Sequence, residues 1–278
     1  MHASHPICRA ASGSGFGSVS FRRYRPPREI RSVVESVWTF SAGSDGRGLT
    51  DYVLPDIGSE IICQTDTAPC IFLRGPQFQL EEIAIPSRAC YVGARVRPGA
   101  ASWFFKVAAK DVCGSRTALD AMCAAMGMGS SEVAIDDAAR DVVERFVQTL
   151  IDRFRRRGSV ARATIATTAV DIISSRHGKI SVDAVASALG CSTRHLRRQM
   201  IAEIGMGPKA AARIARIRRA VALLGASDQP LAQVALDAGY GDQAHMTREF
   251  AALKAPTPAT MRRWRESDFA KTPAAAGR

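Results

Sequence analysis

The sequence predicts an α+β chain in two parts: an N-terminal small β-barrel or sandwich with helices following it, and a C-terminal part made only of helices. Three observations carry that prediction. Between Trp38 and Val96 the chain breaks into short segments rich in β-branched and aromatic residues, punctuated by Gly and Pro at close spacing. After Pro98 the apolar residues take up helical spacing. From Ala161 onward a helix, tight turn, helix pattern is written twice.

At 278 residues the chain is long enough for two domains, each burying its own core. Its 46% hydrophobic and 23% charged residues match a globular protein, and no run of about 18 apolar residues offers to cross a bilayer, so a membrane protein is not expected. The net charge of +12 is unevenly placed: residues 1–157 carry 20 basic and 17 acidic side chains, residues 158–278 carry 18 and 9. The excess belongs to the C-terminal part. It points to a polyanion, nucleic acid before an anionic membrane, because each Lys or Arg that neutralises a phosphate releases condensed counterions. The seven cysteines, Cys8, Cys63, Cys70, Cys90, Cys113, Cys123 and Cys191, are scattered without a CxxC pair, which suits a reducing cytoplasm. Residues 1–21, rich in Ser and Gly but lacking an apolar h-region, are expected to be a disordered leader.

The predicted strands lie in "VWTF", "DYVL", "SEIICQ", "CIFLRG" and "ACYVGARV", inside an N-terminal domain at residues 22–130. Within it, Cys63 and Cys70 read as small buried hydrophobes, Met122, Met126 and Met128 as gap-filling core or interface, and Glu81 and Glu82 as solvent-facing. Trp38 and Trp103 read as core, with the wall of a ligand pocket as the alternative. Helical spacing begins in "GAASWFFKVAAKDV" and resumes in "DDAARDVVERFVQTLIDRFRRR", where Val142, Val143, Phe146, Leu150 and Phe154 form one apolar face. The Arg run and Gly158 suit a helix C-terminus. Residues 131–158 are therefore expected as a connecting helix, 159–266 as the helical domain and 267–278 as a flexible tail.

The internal repeat is the most informative feature. "VASALGCSTRHLRRQM" aligns with "VALDAGYGDQAHMTREF": Val185, Ala186 and Gly190 correspond to Val234, Ala235 and Gly239 at an offset of 49 residues. One extra residue enters the second turn, so Leu196, Arg198, Met200 and Pro208 correspond to Met246, Arg248, Phe250 and Pro258 at an offset of 50. In each unit small residues let the two helices cross closely, a glycine turns the chain, and Ser192 or Asp242 is placed to cap the second helix. Leu196, Met200 and Ile204 in one unit, and Met246, Phe250 and Leu253 in the other, are the expected buried faces.

The outer faces then carry Thr193, Arg194, Arg197 and Arg198 in the first unit and Gln243, Ala244, Thr247 and Arg248 in the second. These are side chains that read bases: Arg bidentate to guanine, Gln to adenine, small apolar groups to the thymine methyl. A helix-turn-helix lays such a helix in the major groove. Between the units, "PKAAARIARIRRAVALL" predicts a helix of about 17 residues, roughly 25 Å, which with its turns holds two reading helices about one DNA repeat apart. Ile214, Ile217, Val221 and Leu224 would face the core; Lys209, Arg213, Arg216 and Arg219 lie mostly outside, either solvated or, for Lys209, Arg213 and Arg216, on phosphates.

The pattern "ISVDAVASALGCSTRHLRRQM", "GMGPKA", "RIRRAVALL", "LAQVALDAGYGDQAHMTREF" and "PTPATMRR", from Ile180 to Arg263, resembles the double helix-turn-helix domain of AraC-type transcription regulators. It departs from the family at Met200, where an apolar aromatic is usual, and at Ala255, where Gly is usual. Carried over by position, the base-reading residues are Arg194, Arg197 and Arg198, then Gln243, Ala244, Thr247 and Arg248, with Ser192 and Thr193 at the start of the first reading helix. His195 and His245 are expected to hydrogen-bond near the helix base. Segments "YRPPREIRSVVESVWTF", "VLPDIGSEIICQ", "LRGPQ" and "VGARVRPGAASWFF" are similar to an N-terminal domain of unknown function found on a subset of AraC-like regulators. That resemblance implies a cupin-like barrel that senses a ligand or mediates dimerisation.

The resemblance implies a sequence-specific regulator of promoter or operator DNA in the cytoplasm, at the nucleoid. Its implied partners are RNA polymerase, an unidentified small-molecule effector and a second copy of the chain, with no cofactor and no membrane. Two other readings compete with it. A metal- or cysteine-dependent enzyme, or a DNA-repair protein, is opposed by the histidines, since His2, His5, His177, His195 and His245 all lie outside Trp38 to Val96, and by the lack of a Walker loop, GxSxG or HExxH. A general architectural DNA binder would not need two separately patterned reading helices.

Overall fold

The structure, a computed structural model, describes residues 7–10, 20–42, 49–65, 70–126, 138–158 and 163–268. Apart from residues 7–10 and 20–21, the leader lies outside the described residues, as does the tail beyond Asp268. Among the described residues the N-terminal part holds nine strands: β1 Ile7–Ala10, β2 Ser20–Tyr24, β3 Val34–Ser41, β4 Leu49–Val53, β5 Ser59–Gln64, β6 Cys70–Arg74, β7 Glu81–Ile85, β8 Cys90–Val96 and β9 Arg116–Ala118. They form two antiparallel sheets, β2-β3-β8-β5-β6-β9 and β1-β4-β7. The sheet is therefore not a closed barrel. Closure would require β2 to pair with β9, but β9 offers only three residues, and one face is covered instead by the separate three-stranded ribbon.

The two faces of the larger sheet differ as the two-residue period of a strand requires. One face, with Val37, Ala94, Ile61 and Leu73 in register across four strands, packs on helices α1 Ala100–Phe105 and α4 Ala138–Arg157. In α4 the apolar stripe falls as its spacing predicts: Val142, Phe146 and Leu150 are buried, and Val143 and Phe154 pack against the same core. This helix is thus seated in the N-terminal core along its length, and Gly158, at φ 79°, ends it. The segment of helical spacing after Pro98 forms two helices, α1 and α2 Ala109–Val112, because Lys106 takes the left-handed conformation between them. Met122 and Met126, on or beside α3 Asp120–Ala125, fill that core; Met128 lies outside the described residues.

The opposite face, toward the three-stranded ribbon, carries three rows. Ser36, Arg95, Glu60, Arg74 and Arg116 stand side by side across β3, β8, β5, β6 and β9. Next come Arg23, Trp38, Gly93, Ile62, Phe72 and Ala118, then Phe21, Phe40, Tyr91, Gln64 and Cys70. Cys63, on the other face, is buried, and Cys70 is exposed at the start of its strand, so only the first of the two is the small hydrophobe expected. Glu82 is exposed as predicted. Glu81 instead turns toward Arg74, with 3.6 Å between the charged atoms.

The C-terminal part is all helix: α5 Ile165–Ser175, α6 Val182–Ala188, α7 Thr193–Ile204, α8 Pro208–Ala226, α9 Leu231–Ala238, α10 Gln243–Ala252 and α11 Pro258–Asp268. Two cores divide it. One gathers Val185, Ala186, Leu196, Met200 and Ile204 against α5 and the first half of α8; the other gathers Val234, Ala235, Met246, Phe250 and Met261 against its second half. Among the described residues no helix is long and apolar enough to cross a membrane.

The turn between β4 and β5, residues 54–58, reaches across to this part. Leu54 is buried in the second core and Ile57 in the first. Between them, Asp56 accepts hydrogen bonds from Arg218 on α8 (2.9 Å) and from Arg95 of the larger sheet. The Leu80 amide also donates to the Leu253 carbonyl at 2.8 Å, closing the seam beside α10.

Candidate nucleic-acid interface

Each candidate reading helix is built by the same local devices. In the first unit α6 ends near Leu189, Gly190 turns the chain at φ 63°, and the Ser192 hydroxyl accepts from the His195 amide at 3.2 Å to start α7. In the second, Gly239 turns at φ 93° and the Asp242 carboxylate accepts from the His245 amide to start α10. Tyr240 stands where Cys191 does in the first turn, its amide donating to the Ala235 carbonyl as that of Cys191 does to Ala186, and Gly241 is the extra residue. Tyr240 is buried, its ring meets His245 edge-on at 5.4 Å, and the Arg216 guanidinium lies 5.9 Å from its centroid. Burial pushes the Tyr240 phenol well above its ordinary range.

Burial then sorts the side chains of α7 and α10. Leu196, Met200 and Ile204, and Met246 and Phe250, point into the two cores. Thr193, Arg194, Arg197 and Arg198 are exposed on α7, as are Gln243, Ala244 and Arg248 on α10. Thr247 is half-buried and its hydroxyl donates back to the Gln243 carbonyl at 2.9 Å. Ser192 is exposed but spends its hydroxyl on the cap. The two histidines serve the helix bases: His245 Nδ1 accepts from the Gly241 amide at 3.3 Å, and His195 Nδ1 lies 3.1 Å from Arg198.

The basic side chains of α8 divide differently from the expectation of an outer face. Lys209 is exposed. Arg213 pairs with Glu249 of α10 at 2.8 Å, and Arg216 donates to the Gly178 carbonyl at 3.1 Å, so both tie α8 to its neighbours. The sequence reading missed Arg218, whose neighbours in the sequence give no sign that it meets a carboxylate 162 residues away. At the departures from the family pattern, Met200 fills its site completely buried, and Lys254, at φ 55°, takes the left-handed turn that frees Ala255 from needing it.

Two family matches divide the chain along the same line. Residues 22–117 match a domain of unknown function, and residues 185–263 match a family described as a helix-turn-helix domain. The second match coincides with the repeated unit and both capped reading helices. The chain carries an AraC-type helix-turn-helix domain in its C-terminal part and a domain of unknown function before it. As such it is a DNA-binding transcription regulator with an α+β fold. The chain is similar to the C-terminal domain of AraT, a response regulator from Geobacillus stearothermophilus, at 20% identity over 41% of this chain and 93% of that one, with a TM-score of 0.35. It is also similar to ToxT from Vibrio cholerae, at 9% identity over 90% of this chain and 99% of that one, with a TM-score of 0.41. No curated protein matches it.

Proposed function

We propose that α7 and α10 enter successive major grooves of a promoter or operator, α7 reading through Arg194, Arg197 and Arg198 and α10 through Gln243, Ala244, Thr247 and Arg248. The observation that carries this reading is the pairing of a buried apolar face with an exposed polar one on both helices, at matching positions of the repeat. Helix α8, about 28 Å for its 19 residues, is the bar between them. Ser192, Thr193 and Lys209 lie where phosphates would pass, whereas Arg213 and Arg216 act mainly inside the protein. In this reading residues 22–130 are a sensing or dimerising domain, 131–158 the connector and 159–266 the DNA-binding domain. The protein works by binding rather than by chemistry, in the cytoplasm with its DNA, under the control of a small molecule, and RNA polymerase and a second copy of the chain are its protein partners.

The test is a footprint of the operator with Arg197→Ala and Arg248→Ala proteins. Each loses about 1–3 kcal/mol of binding at its own half of the site if its guanidinium reads a base. Unchanged footprints for both would remove the assignment.

A further inference from the structure

Between the two sheets lies a cavity of about 100 Å³. One water needs roughly 10–15 Å³ on such a measure, so there is room for a small organic molecule. Its walls are graded. One end is the charged row of the larger sheet, where Arg95, Arg74 and Arg116 line the space with Arg23 from the next row, and Glu60 is the single acidic side chain in the lining. The rest is apolar and largely aromatic: Trp38, Phe40, Ile62, Phe72 and, from the covering ribbon, Ile83 and Ile85. Gly93 makes this end possible, because a Cβ there would stand 2.1 Å from the Trp38 ring.

At the polar end the Arg74 guanidinium is only partly answered by the protein. Arg95 is held by Asp56 and Glu35. Arg74 is buried, meets Glu81 at 3.6 Å, and its Nε has no hydrogen-bond partner. It stands directly across the strand pair from Arg116, a placement in which like charges repel. Burial, and then the Arg95 charge, depress the Arg23 pKa, against the opposing pull of Glu35 and Glu60. An unsatisfied buried guanidinium nitrogen, an opposed arginine pair and an aromatic chamber ask for an anion with an apolar body.

We propose that this cavity binds a small organic carboxylate, its acid group among Arg74, Arg116 and Arg23 and an aromatic or branched hydrocarbon body along Trp38, Phe40 and Ile62. Guanidinium groups match a planar carboxylate with paired hydrogen bonds, and Glu60 beside them favours one negative charge over two. Arg95 belongs both to the cavity wall and to the contact with Asp56, so the acid group bears on the turn that is seated in the DNA-binding half. The assignment rests on the reading of the N-terminal domain as a sensor.

The experiment titrates the full chain with 3-phenylpropanoate and cyclohexanecarboxylate, each beside its primary amide, and with acetate and inorganic phosphate. Calorimetry follows binding, and operator affinity is measured on the same samples. The two apolar acids are expected to bind at least tenfold more tightly than their amides, with acetate and phosphate weaker still. Arg74→Gln is expected to remove that preference, and Arg116→Gln, at an exposed position, repeats the test without disturbing the core. Amides that bind as well as the acids, or no binding by either acid at millimolar concentration, would overturn the assignment. If an acid binds while operator affinity stays fixed, the ligand class stands and the sensing role fails; if neither acid binds but the operator is still bound selectively, the ligand class fails and DNA recognition stands.

Discussion

Asp56, in the turn after β4, and Arg218, on α8, form an ion pair at 2.9 Å across the join between the two halves of the protein. Both side chains are largely shielded, at 8% and 19% exposure, and the carboxylate also holds Arg95. Burial works against the Arg95 charge, but Asp56 and then Glu35 outweigh it and hold the guanidinium above its ordinary pKa. A carboxylate shared by two buried guanidinium groups is costly to lose, because its removal leaves both charges uncompensated. Asp56→Asn is expected to destabilise the protein by about 3–5 kcal/mol in denaturant unfolding. Arg218→Met should cost less, and a double-mutant cycle should show coupling between the two positions. Additive effects would mean the pair does not act as one.

The two turn glycines separate backbone strain from crowding. Gly190 and Gly239 both have positive φ, but a Cβ on Gly190 meets nothing within 4 Å, while one on Gly239 comes 2.6 Å from the Lys179 side chain. Gly190→Ala should cost about 1 kcal/mol, the price of the left-handed conformation alone. Gly239→Ala should cost more, and a Lys179→Ala background should bring it back toward the Gly190 value. Thermal unfolding of the four proteins reads this directly.

Gly93→Ala tests the chamber between the sheets. Its methyl group would overlap the Trp38 ring, which must shift, and overpacking of this kind costs about 1–3 kcal/mol. The expected signature is a lower midpoint together with changed Trp38 fluorescence, in a protein whose operator footprint persists. An unaltered emission spectrum would show that the indole does not lie across Gly93.

Thiol chemistry should distinguish Cys63 from Cys70. Burial pushes the Cys63 thiol up to about 12, so at pH 8 it stays protonated and out of reach, whereas Cys70 is exposed. Alkylation of the native protein followed by peptide mass analysis should label Cys70 readily and leave Cys63 unmodified until denaturant is added. Raising the pH toward 12 should speed the Cys63 reaction even where the fold persists.

What the sequence made legible was local. Repeated apolar spacing, a turn glycine and a cap within four residues were enough to place α6, α7, α9 and α10, because each device acts over one or two helical turns. The five apolar strand segments were legible for the same reason. Strands β2, "SFRRY", and β7, "EEIAI", were not, since paired charges open or interrupt their patterns: Arg23 lines the space between the sheets and Glu81 turns toward Arg74. The roles of Arg213, Arg216 and Arg218 were also hidden: a basic residue on an amphipathic helix looks alike whether it meets solvent, a phosphate or a carboxylate brought by a distant loop.

The seating of Leu54 and Ile57 in different cores has a geometric consequence. A single helix between two DNA-reading units would leave them free to swivel about its axis and to accept operators of differing helical phase. Five residues borrowed from the other half of the protein brace that joint like a cross-strut, so the angle between the two helical units is set jointly by α8 and by a turn from outside the repeat.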